Sequence, residues 1–477
     1  MPAVVAYGGQ TPLNLAAPLA ATGVRLLGSD LEAIDQAEER TRFSALLDRL
    51  GIPQPEGGMA HSLDEALTLA ERVGYPVIVR PSFVIGGLAI DFCYSPEDLV
   101  RQLAAATVVD PDRPVRIDRY LEGVEVDIDA VCDGERVLIP GLLEHVEKAG
   151  VHSGDSVAVF PPQHVSDGDQ ALIVSTMERI CLALGATGLV NAQFIVRDDG
   201  VYLIEVNPRA SRTVPFMSKV TGVPMVELAV RIALGESLET LGWPNGLLEP
   251  PPFVAVKAPA FSTAKLRGVD PSVGPGMQST GEVIGIDTDP RVALAKALVG
   301  ASLVPPRVDA GAHAGPEPIA LLSIADRDKA GLVPLARALR LAGYRLAGTP
   351  GTRTVLREAG FGVIPVAKLG AAPDLAMGEV GILEAIADGG VRLVVNTPTP
   401  RSGVVRDAAE IRHAATAEGI LCLTAIETAI AAAEALDPAI AARISVVRSL
   451  GEWVPEPGAP RPPATEPTEP VGAGAPA

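Results

Sequence analysis

The sequence predicts a multidomain chain of α/β and α+β type, on three observations. At 477 residues it is too long for one hydrophobic core. The stretch 193–212, QFIVRDDGVYLIEVNPRASR, sets two runs of alternating apolar and polar residues around a turn, which is a β-hairpin pattern. Beyond residue 318, strand-like and helix-like segments alternate as βα units, the pattern of a small doubly wound domain with a parallel sheet.

Composition narrows the class. Apolar residues make up 48% and charged residues 20%, as in an ordinary globular enzyme, and with only 4% aromatics the cores must be built from Ala, Val, Leu and Ile. A net charge of −19 argues against a nucleic-acid or anionic-membrane partner, since both require basic patches. Cys93, Cys132, Cys181 and Cys422 are scattered without a CxxC pair, so neither a zinc site nor a disulfide framework is indicated. No signal-peptide pattern opens the sequence and no apolar run has membrane-spanning length, so a cytoplasmic setting is expected.

In chain order, residues 1–35 read as a βαβ fragment with a Gly8-Gly9 turn, short for a domain. A helix is expected from Asp35 through QAEERTRFSALLDRLG, and another opened by Ser62 as N-cap with Glu65 three residues on. Val77 to Val79 form a buried strand ending at Arg80, and the loop from Ser82 to Gly87 has the glycines that let backbone approach a triphosphate. Glu125, Asp127 and Asp129 alternate on one strand face, either solvated or lining a nucleotide pocket where Glu125 accepts from ribose hydroxyls. Glu144, His145, Glu147, His152 and Asp155 cluster around a Gly-rich bend; each histidine alone is more often a structural hydrogen-bonder than a catalyst.

The hairpin carries the chemistry. Glu205 and Asn207 share a face, and a three-residue loop over 198–200, with Gly200 left-handed, sets Gln193 opposite Glu205. A two-residue loop at Asp199-Gly200 turns Gln193 away, and the three-residue loop is the one expected. The result is a carboxylate and two amides, hard oxygen ligands suited to Mg²⁺ held with substrate phosphates. Arg209 and Arg212 follow at once, and guanidinium forks suit phosphate or carboxylate oxygens. Such a set serves phosphoryl transfer, where the protein mostly positions groups and stabilises charge. Taken alone, a solvated surface hairpin is an equal reading.

Residues 305–318 have a Pro/Gly/Ala linker composition. In the βα domain beyond, Thr349, Thr352, Asn396 and Thr397 lie just past strand ends, where open α/β sheets bind ligands, and Lys329 and Lys368 add positive charge. Residues 451–477 read as a disordered Pro-rich tail.

YPVIVRPSFVIGGLA, EHVEKAGVHSGDS and LIEVNPRASRTVPFMSKVTGVP resemble the second half of the carbamoyl-phosphate synthetase large chain, over about residues 3 to 450. The fold this implies is ATP-grasp followed by a methylglyoxal-synthase-like allosteric domain. The domains would be a truncated fragment before the ATP-grasp unit (1–35), the ATP-grasp domain (36–240), the remainder of the synthetase unit (241–304), a linker (305–318) and the methylglyoxal-synthase-like domain (319–450). The activity implied is ATP-dependent phosphorylation of carbamate to carbamoyl phosphate, feeding pyrimidine and arginine biosynthesis. The cofactors implied are ATP, Mg²⁺ or Mn²⁺, and K⁺.

The resemblance places metal ligands at Gln193, Glu205 and Asn207, and ATP contacts at Arg40, Arg80, Gly86, Gly87, Arg119, Leu121, Glu125, Gly150, Val151, His152, Ser153, Gln193 and Glu205. Asn207, Arg209 and Arg212 would act on the carbamate and the transferring phosphoryl group, and Lys329, Thr349, Thr352, Lys368 and Asn396 would hold a nucleotide effector such as UMP. The partners implied are a glutamine amidotransferase small chain and a chain carrying the first synthetase half. That half is expected to be missing here, through a split subunit, a truncated gene or an excised fragment. Two departures stand out: Leu88 where the family has arginine in its phosphate loop, and Ala258 where ornithine-activated members have glutamate, which argues against ornithine control.

Overall fold

A computed structural model describes residues 1–81, 91–105, 114–262, 270–307, 317–397, 402–454 and 458. Among these residues the strands form four sheets. A nine-stranded sheet runs in the order Gly200–Asn207, Thr187–Arg197, Val124–Asp133, Leu142–Lys148, Ala158–Phe160, Val254–Ala260, Gly281–Asp287, with Val137–Ile139 and Gly246–Leu247 as a side branch. Each pairing along its main path is antiparallel. Beside it lies a four-stranded antiparallel sheet of Gly57–Ala60, Val115–Arg119, Val77–Pro81 and Asp91–Cys93. A six-stranded all-parallel sheet carries the C-terminal βα units, as the alternation predicts.

Helices Arg40–Leu50 and Asp167–Leu184 bury Phe43, Leu46, Leu47, Ile173, Met177 and Ile180 against the apolar residues of Val124–Asp133 and the hairpin. Burying a side chain of this size stabilises the fold by roughly 1.5–3 kcal/mol. On the opposite face, Val131, Leu143, Phe160 and Leu189 pack against helices Thr213–Thr221 and Met225–Ala233, while Glu125, Asp127 and Asp129 supply polar groups. The expected single helix from Asp35 is instead two, Leu31–Glu38 and Arg40–Leu50, and the break falls just inside the expected 36–240 domain. Glu39 is extended (φ −82°, ψ 112°) and its carboxylate accepts from the Thr41 and Arg42 N–H groups, both at 2.9 Å, so it caps a new helix that Arg40 opens.

The turn differs from expectation, and a compensating irregularity follows it. Arg197 pairs with Gly200, so the loop is the two residues Asp198-Asp199, and Gly200, at φ 142°, is a strand residue rather than a left-handed loop residue. Arg197 donates to Asp199 at 2.9 Å and clasps this tight turn. Continued regularly, that register would put Gln193 against Ile204. Ile204 is instead the extra residue of a β-bulge, and Gln193 returns opposite Glu205.

The expected tail from 451 is also corrected at its start. Leu450–Trp453 is a helical turn with a Ser449/Glu452 capping box, and the Trp453 ring meets Phe253 edge-on at 5.5 Å. Residues 455–457 and 459–477 lie outside those described, as do 308–316 of the expected linker. Among the described residues no helix is long and apolar enough to cross a membrane.

Candidate active site

Cross-strand pairing assembles the site. Glu205, Gln193 and Asp127 stand in one row across three neighbouring strands, and Asn207, Asn191 and Asp129 in the next. Glu205, Gln193 and Asn207 are half-buried, whereas Glu125, Asp127 and Asp129 are buried. The solvated-stripe reading of those three acids is therefore wrong: His145 packs on Glu125 and Asp127, and Ser211 and Thr213 cover Asp129.

Around Glu205 the charges are arranged for an anion. Burial alone would raise its pKa, but Arg40 and Arg80, the Asn207 amide and Arg209 outweigh that and hold the carboxylate below its usual range. Asn207 Nδ2 donates to Glu205 Oε1 at 3.0 Å, Arg209 Nη2 donates to Asn207 Oδ1 at 3.2 Å, and Arg40 lies 3.8 Å from Glu205 Oε2. The buried Nε atoms of Arg80 and Arg209 have no hydrogen-bond partner among the described residues. An ionised carboxylate with two amide oxygens fits a hard divalent ion, and the unpaired guanidinium donors fit a phosphate beside it. When bound, such an ion would neutralise phosphate charge; Gln193, Glu205 and Asn207 would hold it.

Behind this face, acids and bases support one another. His145 Nε2 lies 3.1 Å from Asp127 Oδ2, and its Nδ1 lies 3.7 Å from Glu125 Oε1. Burial would lower the histidine pKa, yet the two carboxylates raise it. Burial pushes Glu125 up to about 7, against the pull of His145, while that histidine charge brings Asp127 below its ordinary value despite burial. Asp129, pushed up to about 6 by burial, accepts from Ser211 Oγ at 2.6 Å, from Thr213 Oγ1 and from Asn191 Nδ2 at 3.0 Å. It thereby anchors both neighbours of Arg212.

The bend 150–155 closes the site. Burial lowers the His152 pKa, and its Nδ1 accepts from the Gly154 N–H at 3.0 Å, so in the neutral ring the proton is on Nε2. The Ser153 carbonyl accepts from the buried Lys257 Nζ at 2.7 Å. Glu125 accepts from the Gly150 N–H, and Val151 is half-buried in the same bend. Leu121 is buried with Ala149 and Ile195, whereas Arg119 is exposed where the small sheet ends. Gly86, Gly87 and Leu88 lie outside the described residues.

The second expected cluster lies on the parallel sheet. Thr349 stands at the N-cap position of helix Pro350–Glu358 with its hydroxyl turned to Thr352 Oγ1; Thr352 Oγ1 accepts from Ile324 N–H at 3.1 Å and Thr397 Oγ1 from Ala325 N–H at 2.8 Å. A Cβ on Gly351 would lie 3.2 Å from Lys329 Nζ, so this cation sits over the first turn of the helix. Lys368 is exposed just past strand Val363–Ala367, and Asn396 ends strand Val391–Asn396.

The sequence reading missed Glu38 and Lys257 as site groups, and it left Asp127 and Asp129 open between a solvated face and a pocket lining. Glu38 is close enough to Arg209, Glu205 and Arg40 for their charges to act on it. Their only sequence signal was charge on otherwise apolar strands or beside Arg40.

A small antiparallel sheet beside a larger one, with hard ligands and arginines on the larger sheet, defines an ATP-grasp protein. Residues 39–241 match the family model of the carbamoyl-phosphate synthase L chain ATP-binding domain, and residues 331–424 match that of the MGS-like domain. The chain is similar to the carbamoyl phosphate synthase large chain of Thermomicrobium roseum, 50% identical over 436 residues, a match covering 91% of this chain and 39% of the relative. The chain thus spans well under half the length of that relative. Among solved structures it is similar to the biotin carboxylase of Campylobacter jejuni (TM-score 0.49, 17% identity, 62% of this chain and 74% of that one). It is also similar to the biotin carboxylase domain of Hydrogenobacter thermophilus 2-oxoglutarate carboxylase (TM-score 0.47, 21% identity, 60% and 71% covered).

Proposed function

We propose that this chain phosphorylates carbamate with ATP, giving carbamoyl phosphate and ADP, as the second synthetase unit of a glutamine-hydrolysing carbamoyl-phosphate synthase. The observation that carries this reading is the hairpin face: Glu205, Gln193 and Asn207 converge beside Arg209, while buried guanidinium donors of Arg80 and Arg209 are left without partners among the described residues. Identity of 50% over 436 residues to a carbamoyl phosphate synthase large chain supports the same substrate.

In this reading Gln193, Glu205 and Asn207 hold Mg²⁺ or Mn²⁺, and Arg40, Arg80, Arg119, Gly86, Gly87, Gly150, Val151, His152 and Ser153 bind ATP. The apolar floor of Leu121, Ala149 and Ile195 lies beside Glu125, as a purine ring and its ribose require. Arg209 and Arg212 orient carbamate and the phosphoryl group and stabilise charge as it moves. K⁺ is a further ion in this reading. A small amidotransferase chain and a first synthetase half would supply ammonia and carbamate, in a reducing cytoplasmic setting that suits four buried free thiols.

A nucleotide effector such as UMP would bind at Lys329, Thr349, Thr352, Lys368 and Asn396. Ornithine is not part of the reading. Ala258 carries no carboxylate, Glu147 accepts from Val157 N–H at 2.8 Å and Thr428 Oγ1 at 2.5 Å, and Asp155 accepts from two backbone N–H groups.

The test is ATP formation from carbamoyl phosphate and MgADP by the purified chain, with Glu205→Ala beside it. Supporting partners of metal ligands alone are worth about 10–100-fold, so loss of this carboxylate should cost more than about 100-fold with the fold retained. Near-normal turnover by the folded variant would overturn the assignment. Activity toward other carboxylates in place of carbamate would redirect it to another ATP-grasp ligase.

A further inference from the structure

The segment from Asp270 to Thr280 runs between the synthetase unit and the parallel-sheet domain and holds groups of both. At its start the Asp270 carboxylate takes a two-point pair from Arg412 on helix Ser402–Ala417, Nε to Oδ1 at 2.5 Å and Nη2 to Oδ2 at 2.6 Å. Arg412 is only 4% exposed, and its third nitrogen, Nη1, donates to Asn396 Oδ1 at 3.0 Å. Next, the Val273 N–H donates to Thr424 Oγ1 at 3.1 Å, a second tie to the parallel-sheet domain.

From Gly274 onward the ties are to the synthetase site. The Gly274 carbonyl accepts from the His152 N–H at 2.7 Å. Asp155 accepts from the Gln278 and Ser279 N–H groups, both at 2.8 Å, and Ser279 Oγ donates to the Gly154 carbonyl at 2.8 Å. The Ser279 carbonyl accepts from Arg212 Nη1 at 3.3 Å. Packing is as close as the bonding, since a Cβ on Gly154 would lie 2.8 Å from Met277 Sδ. One strap therefore supports the backbone of the 152–155 bend and the guanidinium of Arg212.

The geometry points to Asp270 and Arg412 as positioning residues for the synthetase site. Their charge pair, made by the buried Arg412 with the half-buried Asp270, fixes the strap, the strap fixes the His152 backbone and Arg212, and neither residue touches a reacting group. A planar fork binding both carboxylate oxygens holds direction as well as distance, which a single contact does not. This inference rests on the proposed nucleotide site for its functional consequence, but the strap itself is testable without it.

The experiment compares the whole chain with Asp270→Asn and Arg412→Lys by hydrogen exchange of the 150–155 segment, MgADP titration and thermal unfolding. Asp270→Asn keeps the shape and removes the charge, and Arg412→Lys keeps the charge and removes the fork. In each folded variant the His152 amide should exchange faster and MgADP should bind more weakly, both by about 3- to 30-fold, with the melting temperature little changed. A structural lesion alone would instead lower the melting temperature and leave the bend of the folded fraction as protected as in the wild type. Unchanged exchange at His152 together with unchanged MgADP affinity would overturn the proposal. If the unaltered chain binds no MgADP, the proposed nucleotide site fails, and exchange at His152 still decides the strap.

Discussion

Asp129 is the residue whose chemistry the fold alters most legibly. Burial moves its pKa from an ordinary 3.8 to about 6, so the folded state binds its proton more tightly than the unfolded chain does. The contribution to stability is therefore complete below about pH 4 and is lost as pH rises through about 6. A shift of that size corresponds to on the order of 3 kcal/mol, which Asp129→Asn should remove from the pH dependence. Urea unfolding at pH 4.5 and pH 8 is the check: the variant should gain on wild type at the higher pH, and parallel behaviour at both would mean that Asp129 is not a buried proton-linked acid. Glu205 shows the opposite case, a carboxylate whose pKa the surrounding arginines lower despite burial, as the proposed ligand role requires. Sequence alone offered both as acids on strands; the sign of each shift depends on what three other segments place beside them.

At the scale of elements, the cap at Glu39 and the bulge at Ile204 aim the site. Glu39 ends one helix and starts another, which brings Arg40 to a first turn facing Glu205. Glu39→Ala should cost about 1 kcal/mol, typical for loss of an N-cap, and should also weaken MgADP binding because Arg40 loses its fixed place. Denaturant unfolding and nucleotide titration on one variant test both halves; a stability loss with unchanged affinity would separate the cap from the site. The hairpin was legible as a hairpin, and Glu205 and Asn207 as one face, because period-2 alternation is local. The opposition of Gln193 to Glu205 was expected through a three-residue loop that does not form. The bulge that produces it left no sequence mark, since Ile204 reads as an ordinary strand residue.

For the molecule as a whole, the parallel-sheet domain docks on the ATP-grasp unit through buried polar contacts as well as apolar ones. Thr428 on helix Ile426–Glu434 reaches Glu147 on strand Leu142–Lys148, and both are buried. Thr428→Val would leave Glu147 Oε1 without that donor and should destabilise the chain by about 1–3 kcal/mol. Thermal unfolding should then resolve a lower or split transition, whereas an unshifted single transition would show that this contact does not join the domains.

By itself the sequence determined the order of parts. Alternating apolar residues, capping pairs, Gly and Pro punctuation and the long motifs around Arg80, His152 and Glu205 specify two α/β units and name the candidate ligands, because each signal is carried by neighbours in the chain. The tertiary structure decided what those ligands face. The row Glu205–Gln193–Asp127, the burial of the acidic stripe, the histidine bridge between Glu125 and Asp127, and the strap from Arg412 to Arg212 each join residues tens or hundreds of positions apart. Charge, burial and register at such junctions are properties of packing between segments, and no window along one strand contains them.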